Sequence, residues 1–191
     1  MSLMARIRRT LPAFNSHGLL PVGDYVLTLG QLTKSRLVRG FPGKKRSRYW
    51  DAPWRAQLVE NLSHLAAELE AVGIPEIFIN GSFVEEKDHP NDIDGYFVCD
   101  RERFLSGGLE RELKRVAAGA HWTWENDDRL PVPGHGWKLP MWVDYRVELY
   151  PHFGQETGIV DRFGNELTFP AAFRLSRTGE PKGIVKLVRE S

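Results

Sequence analysis

Two short apolar runs joined by a polar loop constrain this chain more than any other feature. Ile77–Ile79 and Ile93–Val98 are rich in β-branched and aromatic residues, and the segment between them carries Gly81, Ser82 and the run Glu85-Glu86-Lys87-Asp88-His89. Runs of that length and composition read as buried strands, and the charged run as a surface loop. Ahead of them, Asp51 to Val72 reads as a long helix. Asp51 suits the N-cap and Pro53 the first turn, while Trp54, Leu58, Leu62, Leu65, Leu69 and Val72 recur every three or four residues as one apolar stripe. Gly73, with Pro75 behind it, supplies the stop. A long amphipathic helix feeding two adjacent strands fits an α/β (α+β) domain: a small mixed sheet with helices packed on one side.

The rest of the chain extends that frame. Residues 1–27 are rich in Gly and Pro and are expected to form an irregular N-terminal arm, which leaves 28–191 as a single domain. The chain has 191 residues, 41% apolar and 27% charged, enough for one substantial core. Thr28-Leu-Gly-Gln31 has the spacing of a capping box and opens a helix carrying Leu29, Leu32 and Leu37. A more polar helix is expected over 109–119, behind the Ser106-Gly107-Gly108 break, then a long loop from Glu125 to Pro140. The alternation in MWVDYRVELY predicts a strand over 141–150. A turn near Asp161–Asn165, a short helix around Phe169–Leu175, a turn over 177–183 and a last strand from Ile184 to Val188 complete the chain.

The chemistry concentrates in Gly81-Ser82 and Asp92-Ile93-Asp94. Side chains alternate along a strand, so Asp92 and Asp94 point the same way, about 7 Å apart, while Ile93 points to the core. Two carboxylates side by side repel unless a positive charge lies between them. A hard divalent cation meets that need, and Mg²⁺ favours carboxylate oxygens together with water and phosphate. A glycine at the end of the preceding strand lets backbone approach a ligand closely, and the Ser82 hydroxyl with nearby N–H groups can hold phosphate oxygens.

In this segment the chain resembles the polymerase-beta-type nucleotidyltransferase superfamily, whose signature is an apolar strand, Gly-Ser, a short loop, then Asp-apolar-Asp. Gly81, Ser82, Asp92, Ile93 and Asp94 match that signature. The chain is also similar to an uncharacterised bacterial group of short stand-alone proteins of this type, through Gly-Ser-Phe-Val (81–84), Pro-x-Asp-Ile-Asp (90–94) and Pro-Lys-Gly-Ile (181–184). The resemblance implies transfer of a nucleoside monophosphate (NMP) from a nucleoside triphosphate to a hydroxyl on a protein, a small molecule or an RNA end. It implies two Mg²⁺ ions held by carboxylates, with Gly81 and Ser82 on the β- and γ-phosphates. It also implies a third carboxylate on a neighbouring strand. Glu148 and Asp144 share parity in the 141–150 strand, with Arg146 between them on the same face. Glu148 is favoured because Val147 and Leu149 flank it as in a buried strand centre, and Asp144 stays open.

Other chemistries fare worse. A net charge of +1 makes no global case for nucleic acid or membrane as partner. No apolar run approaches ~18 residues, so no membrane-spanning helix is expected. Arg6, Arg8 and Arg9 precede no apolar stretch of the kind a signal peptide needs. Cys99 is the single cysteine; it excludes an internal disulfide and a Cys-rich zinc site and fits a cytoplasmic protein. The six histidines form no zinc-binding pair. Gly-Ser-Phe is not the nucleophile elbow of an acyl hydrolase. Gly40-Phe-Pro-Gly43-Lys44-Lys45 lacks both the spacing and the Ser or Thr of a phosphate-binding loop. Lys44, Lys45, Arg46 and Arg48 read as a solvated basic loop, with phosphate or RNA contact as the alternative. Trp122, Trp124, Trp137 and Trp142 flank the long loop as packing residues or base-stacking platforms. Lys182 and Lys186 read as turn and surface residues, within reach of a triphosphate if the last strand lies beside the site. Two further functions stay open: a catalytically inactive nucleotide-binding protein of the same fold, as a toxin–antitoxin or phage-defence partner, and an RNA-binding protein using the basic cluster.

Overall fold

The structure, a computed structural model, describes residues 10–41, 47–117 and 119–189. In chain order the elements are β1 (Asp24–Leu27), α1 (Leu29–Thr33), α2 (Arg36–Arg39), α3 (Ala52–Ala71), β2 (Ile77–Asn80), β3 (Ile93–Val98), α4 (Arg101–Leu105), α5 (Gly108–Val116), β4 (Leu130–Val132), β5 (Gly136–Lys138), α6 (Pro140–Tyr145), β6 (Val147–His152), β7 (Glu156–Val160), β8 (Glu166–Thr168), α7 (Phe169–Ala172) and β9 (Ile184–Leu187). Five strands form one mixed sheet in the order β1-β9-β2-β3-β6. The outer pairs β1–β9 and β3–β6 are parallel, while β2 runs antiparallel to both its neighbours. The hairpins β4–β5 and β7–β8 stand apart as two-stranded ribbons.

Strand alternation assigns the two faces. Tyr25, Leu27, Ile77, Ile79, Ile93, Phe97, Leu149, Val185 and Leu187 are all buried and share one core cluster. The stripe Leu58, Leu62, Leu65 and Leu69 of α3 belongs to the same cluster, each side chain fully buried. Each such leucine contributes about 1.5–3 kcal/mol, so α3 is the main fastener of the sheet. Asp51 caps α3 by accepting from Trp54 N at 3.0 Å, and Thr28 with Gln31 forms the expected capping box on α1. The opposite face carries Asp94 and Glu148 beside the rings of Phe78, Tyr96 and Tyr150, against which pack Phe169 of α7 and Phe173 just after it.

Several elements depart from the sequence expectation. The arm expected over 1–27 includes a strand at its end, because Asp24–Leu27 pairs with β9 as an edge strand. Its partner is far away along the chain, so four residues of local pattern do not reveal it. The first helix breaks into α1 and α2, since the Ser35 side chain accepts from Leu37 N and caps a second start. Asp100 caps α4, which was not expected. Residues 125–140 contain the β4–β5 hairpin, turned by Gly134 and Gly136 at positive φ. The largest departure is the expected strand 141–150. Pro140 starts α6, Arg146 closes it in the left-handed region at φ 55°, and only Val147 onward is strand. Among the described residues no helix is long and apolar enough to cross a membrane.

Candidate active site

Asp94 and Glu148 are register partners on the parallel strands β3 and β6, so both side chains stand on the same face. Asp92 sits immediately before β3, with Ile93 turned into the core as expected. One carboxylate oxygen from each of Asp92, Asp94 and Glu148 lies within 4.8 Å of the others. Glu148 is buried, at 3% exposure. Asp144 is excluded from this cluster, because it lies exposed on α6 rather than on a strand. The parity that paired it with Glu148 disappears once the backbone is helical, with Met141 and Trp142 as the buried face of α6. Among the described residues Glu148 supplies the third carboxylate.

The crowding has an electrostatic cost. Burial, then the charges of Asp92 and Glu148, pushes the Asp94 carboxyl up from its ordinary 3.8 to about 7. Lys138 and Arg177 pull in the other direction. Among the described residues no group donates a hydrogen bond to the Asp94 carboxylate, whereas its neighbours are better served. Asp92 accepts from Trp142 Nε1 at 2.7 Å, and Glu148 accepts from Leu139 N at 3.4 Å and from Lys138 Nζ at 2.9 Å. Three hard oxygen donors with no soft ligand among them suit Mg²⁺ or Mn²⁺.

The Gly81-Ser82 step forms a 3-10 turn, Gly81–Val84, between β2 and the loop. Gly81 has φ +70°, and a Cβ there would collide with the Asp94 carboxylate, so the position requires glycine. The loop behind the turn is fastened by Arg55, a fully buried residue of α3. Its guanidinium donates to the carbonyls of Leu37 at 2.8 Å, Phe83 at 2.7 Å, Glu85 at 3.2 Å and Lys87 at 2.6 Å, and it lies 3.9 Å from the centroid of the Trp50 ring. Burial holds the Arg55 guanidinium down at about 9, so it stays protonated at neutral pH.

Gly81, Ser82 and Asp94 line a pocket of about 220 Å³. Arg177 supplies positive charge to its wall, Lys182 lies there paired with Glu85, and Ile159 and Phe173 form an apolar side. Lys182 is not a surface residue: it is 3% exposed, pairs with Glu85 and donates to Gly81 O at 3.3 Å. The sequence hinted at it only through its place ahead of the last strand, and nothing in the pattern marked Arg177 or Lys138. Trp142 is a buried anchor for Asp92, and Trp122 and Trp124 donate inward to Glu68 and Leu149, which leaves Trp137 as the exposed member of that set. Lys186 pairs with Glu76 at 2.7 Å, away from the cluster. Lys44, Lys45 and Arg46 lie outside the described residues; Arg48 stacks on the Tyr49 ring.

A model of DUF6932, a family of unknown function, matches residues 12–188. No curated protein and no solved structure matches the chain. The chain therefore belongs to DUF6932.

Proposed function

Starting from membership of a family without an assigned activity, we propose that this protein is a Mg²⁺-dependent nucleotidyltransferase. It would move an NMP from a nucleoside triphosphate to a hydroxyl of a protein, a small molecule or an RNA end. One observation carries the proposal: Asp92, Asp94 and Glu148 converge within 4.8 Å beside a pocket that begins at Gly81 and Ser82. Magnesium bound by the three carboxylates would acidify the acceptor hydroxyl and offset the charge on departing pyrophosphate. The chain's own groups do the rest. Gly81 lets triphosphate oxygens approach the backbone, and the Ser82 hydroxyl, which makes no hydrogen bond among the described residues, is available to them as a donor. Arg177 adds positive charge on the same side, while Ile159 and Phe173 offer apolar contact to ribose or base. The acceptor oxygen bonds to the α-phosphorus, the α–β bridging bond breaks, pyrophosphate leaves, and a carboxylate of the cluster takes the hydroxyl proton.

The test is incubation of the protein with each α-labelled triphosphate and Mg²⁺, with cell extract as a source of acceptors, beside Asp92→Ala/Asp94→Ala. Mg²⁺-dependent label on an acceptor, lost in the double variant, is the expected result. Neither nucleotide binding nor transfer in the wild type would overturn the proposal, and binding without transfer would return the protein to a nucleotide-binding partner role.

A further inference from the structure

Lys138 is the part of the site that nucleotidyl transfer leaves unexplained. It ends β5, and its ammonium is held where two of the three carboxylates meet. Nζ is 2.9 Å from Glu148 Oε2 and 3.7 Å from Asp92 Oδ2. It also lies 5.0 Å from the centroid of the Trp142 ring, whose indole N–H donates to the same Asp92 oxygen. An ordinary surface lysine keeps its stem mobile and its ammonium hydrated; this side chain is 19% exposed and is held by two anions and a ring. The backbone enforces the placement, because the next residue, Leu139, both caps α6 and donates its N–H to Glu148 Oε1.

The charges then sort by side. Three carboxylates face the Lys138 ammonium, with the Arg129 guanidinium farther off at 4.0 Å from Glu148 Oε1, so the negative charge left over is no more than one divalent cation neutralises. The Asp92–Glu148 edge already holds a cation. The Asp94 edge, facing Ser82 and the pocket, has no ion pair among the described residues. We infer that Lys138 is a built-in substitute for one of the two metal ions: the cluster binds a single divalent cation, on the Asp94 side, with the ammonium fixed between Asp92 and Glu148. The inference rests on the preceding proposal for the class of cation the carboxylates take and for the second ion that Lys138 replaces.

The test counts Mn²⁺ on the full-length chain, with the metal alone as probe, by equilibrium dialysis of the wild type, Lys138→Arg and Lys138→Gln. One Mn²⁺ per chain is expected for the wild type and Lys138→Arg, and two for Lys138→Gln. Two ions on the wild type, none on the wild type, or an unchanged single ion on folded Lys138→Gln would each overturn the inference. If Lys138→Gln does not fold, the wild-type count still decides. One bound ion with no nucleotide transfer would leave Lys138 in this role and remove the proposed reaction; transfer with two bound ions would do the reverse.

Discussion

Arg55 and Asp94 are both ionisable side chains withdrawn from water within one short stretch of the fold, and they are provided for in opposite ways. Arg55 donates to four backbone carbonyls and stacks on Trp50. Asp94 stands beside two other carboxylates, receives no donated hydrogen bond among the described residues and lines an open pocket. Arg55 commits both terminal nitrogens to backbone carbonyls and leaves only Nε without a partner, so it serves as a structural clamp; Asp94 has no such partner among the described residues and is open to a ligand. Three substitutions and one control can break or sharpen that contrast.

The largest effect on stability is expected at the Arg55 clamp. Arg55→Met leaves buried carbonyls without donors and should cost about 3–5 kcal/mol in urea unfolding. A cost below about 1 kcal/mol would mean that the loop stands without its clamp. Gly81→Ala tests the join between the two sites. The positive φ and the collision with Asp94 should cost about 1–3 kcal/mol and weaken triphosphate binding, measured by calorimetry. Wild-type affinity in that variant would separate the turn from the pocket.

Asp94→Asn addresses the unfinished charge through pH. The folded carboxyl titrates near 7, above its ordinary 3.8, so the folded state holds a proton that the unfolded chain has released. The stability Asp94 contributes is therefore fully present below about pH 4 and lost as the pH rises through 7. In chelator, the wild type should lose stability relative to Asp94→Asn across that window, and Mg²⁺ should restore it. Parallel pH curves would show that Asp94 is already compensated. The smallest effect belongs to exposed Asp144: Asp144→Asn should stay within about 0.5 kcal/mol of the wild type.

The legible parts of this fold were those written in local pattern. The α3 stripe, its Asp51 cap and the β2–β3 pair needed only periodicity and stop residues, and with them came Gly81, Ser82, Asp92 and Asp94. Glu148 was legible as one of two choices. What misled was Met-Trp-Val-Asp-Tyr, whose β-forming side chains conceal a helix set by Pro140 before it and closed by the left-handed Arg146 after it. What stayed hidden was carried by tertiary structure alone: β1 pairs with a strand at the far end of the chain, and Lys138 reaches the cluster through a hairpin whose sequence is loop-like.

The proposed reaction requires Asp92, Asp94 and Glu148 to act as one cation-binding cluster in nucleotide transfer. Transfer rates from an α-labelled triphosphate, compared for the wild type, Glu148→Gln and Asp144→Asn in Mg²⁺, test it most directly. The account predicts a fall of about a thousandfold or more for Glu148→Gln, equivalent to several kcal/mol of lost transition-state stabilisation, and an unchanged rate for Asp144→Asn. Equal rates in all three proteins, or loss in Asp144→Asn alone, would contradict it.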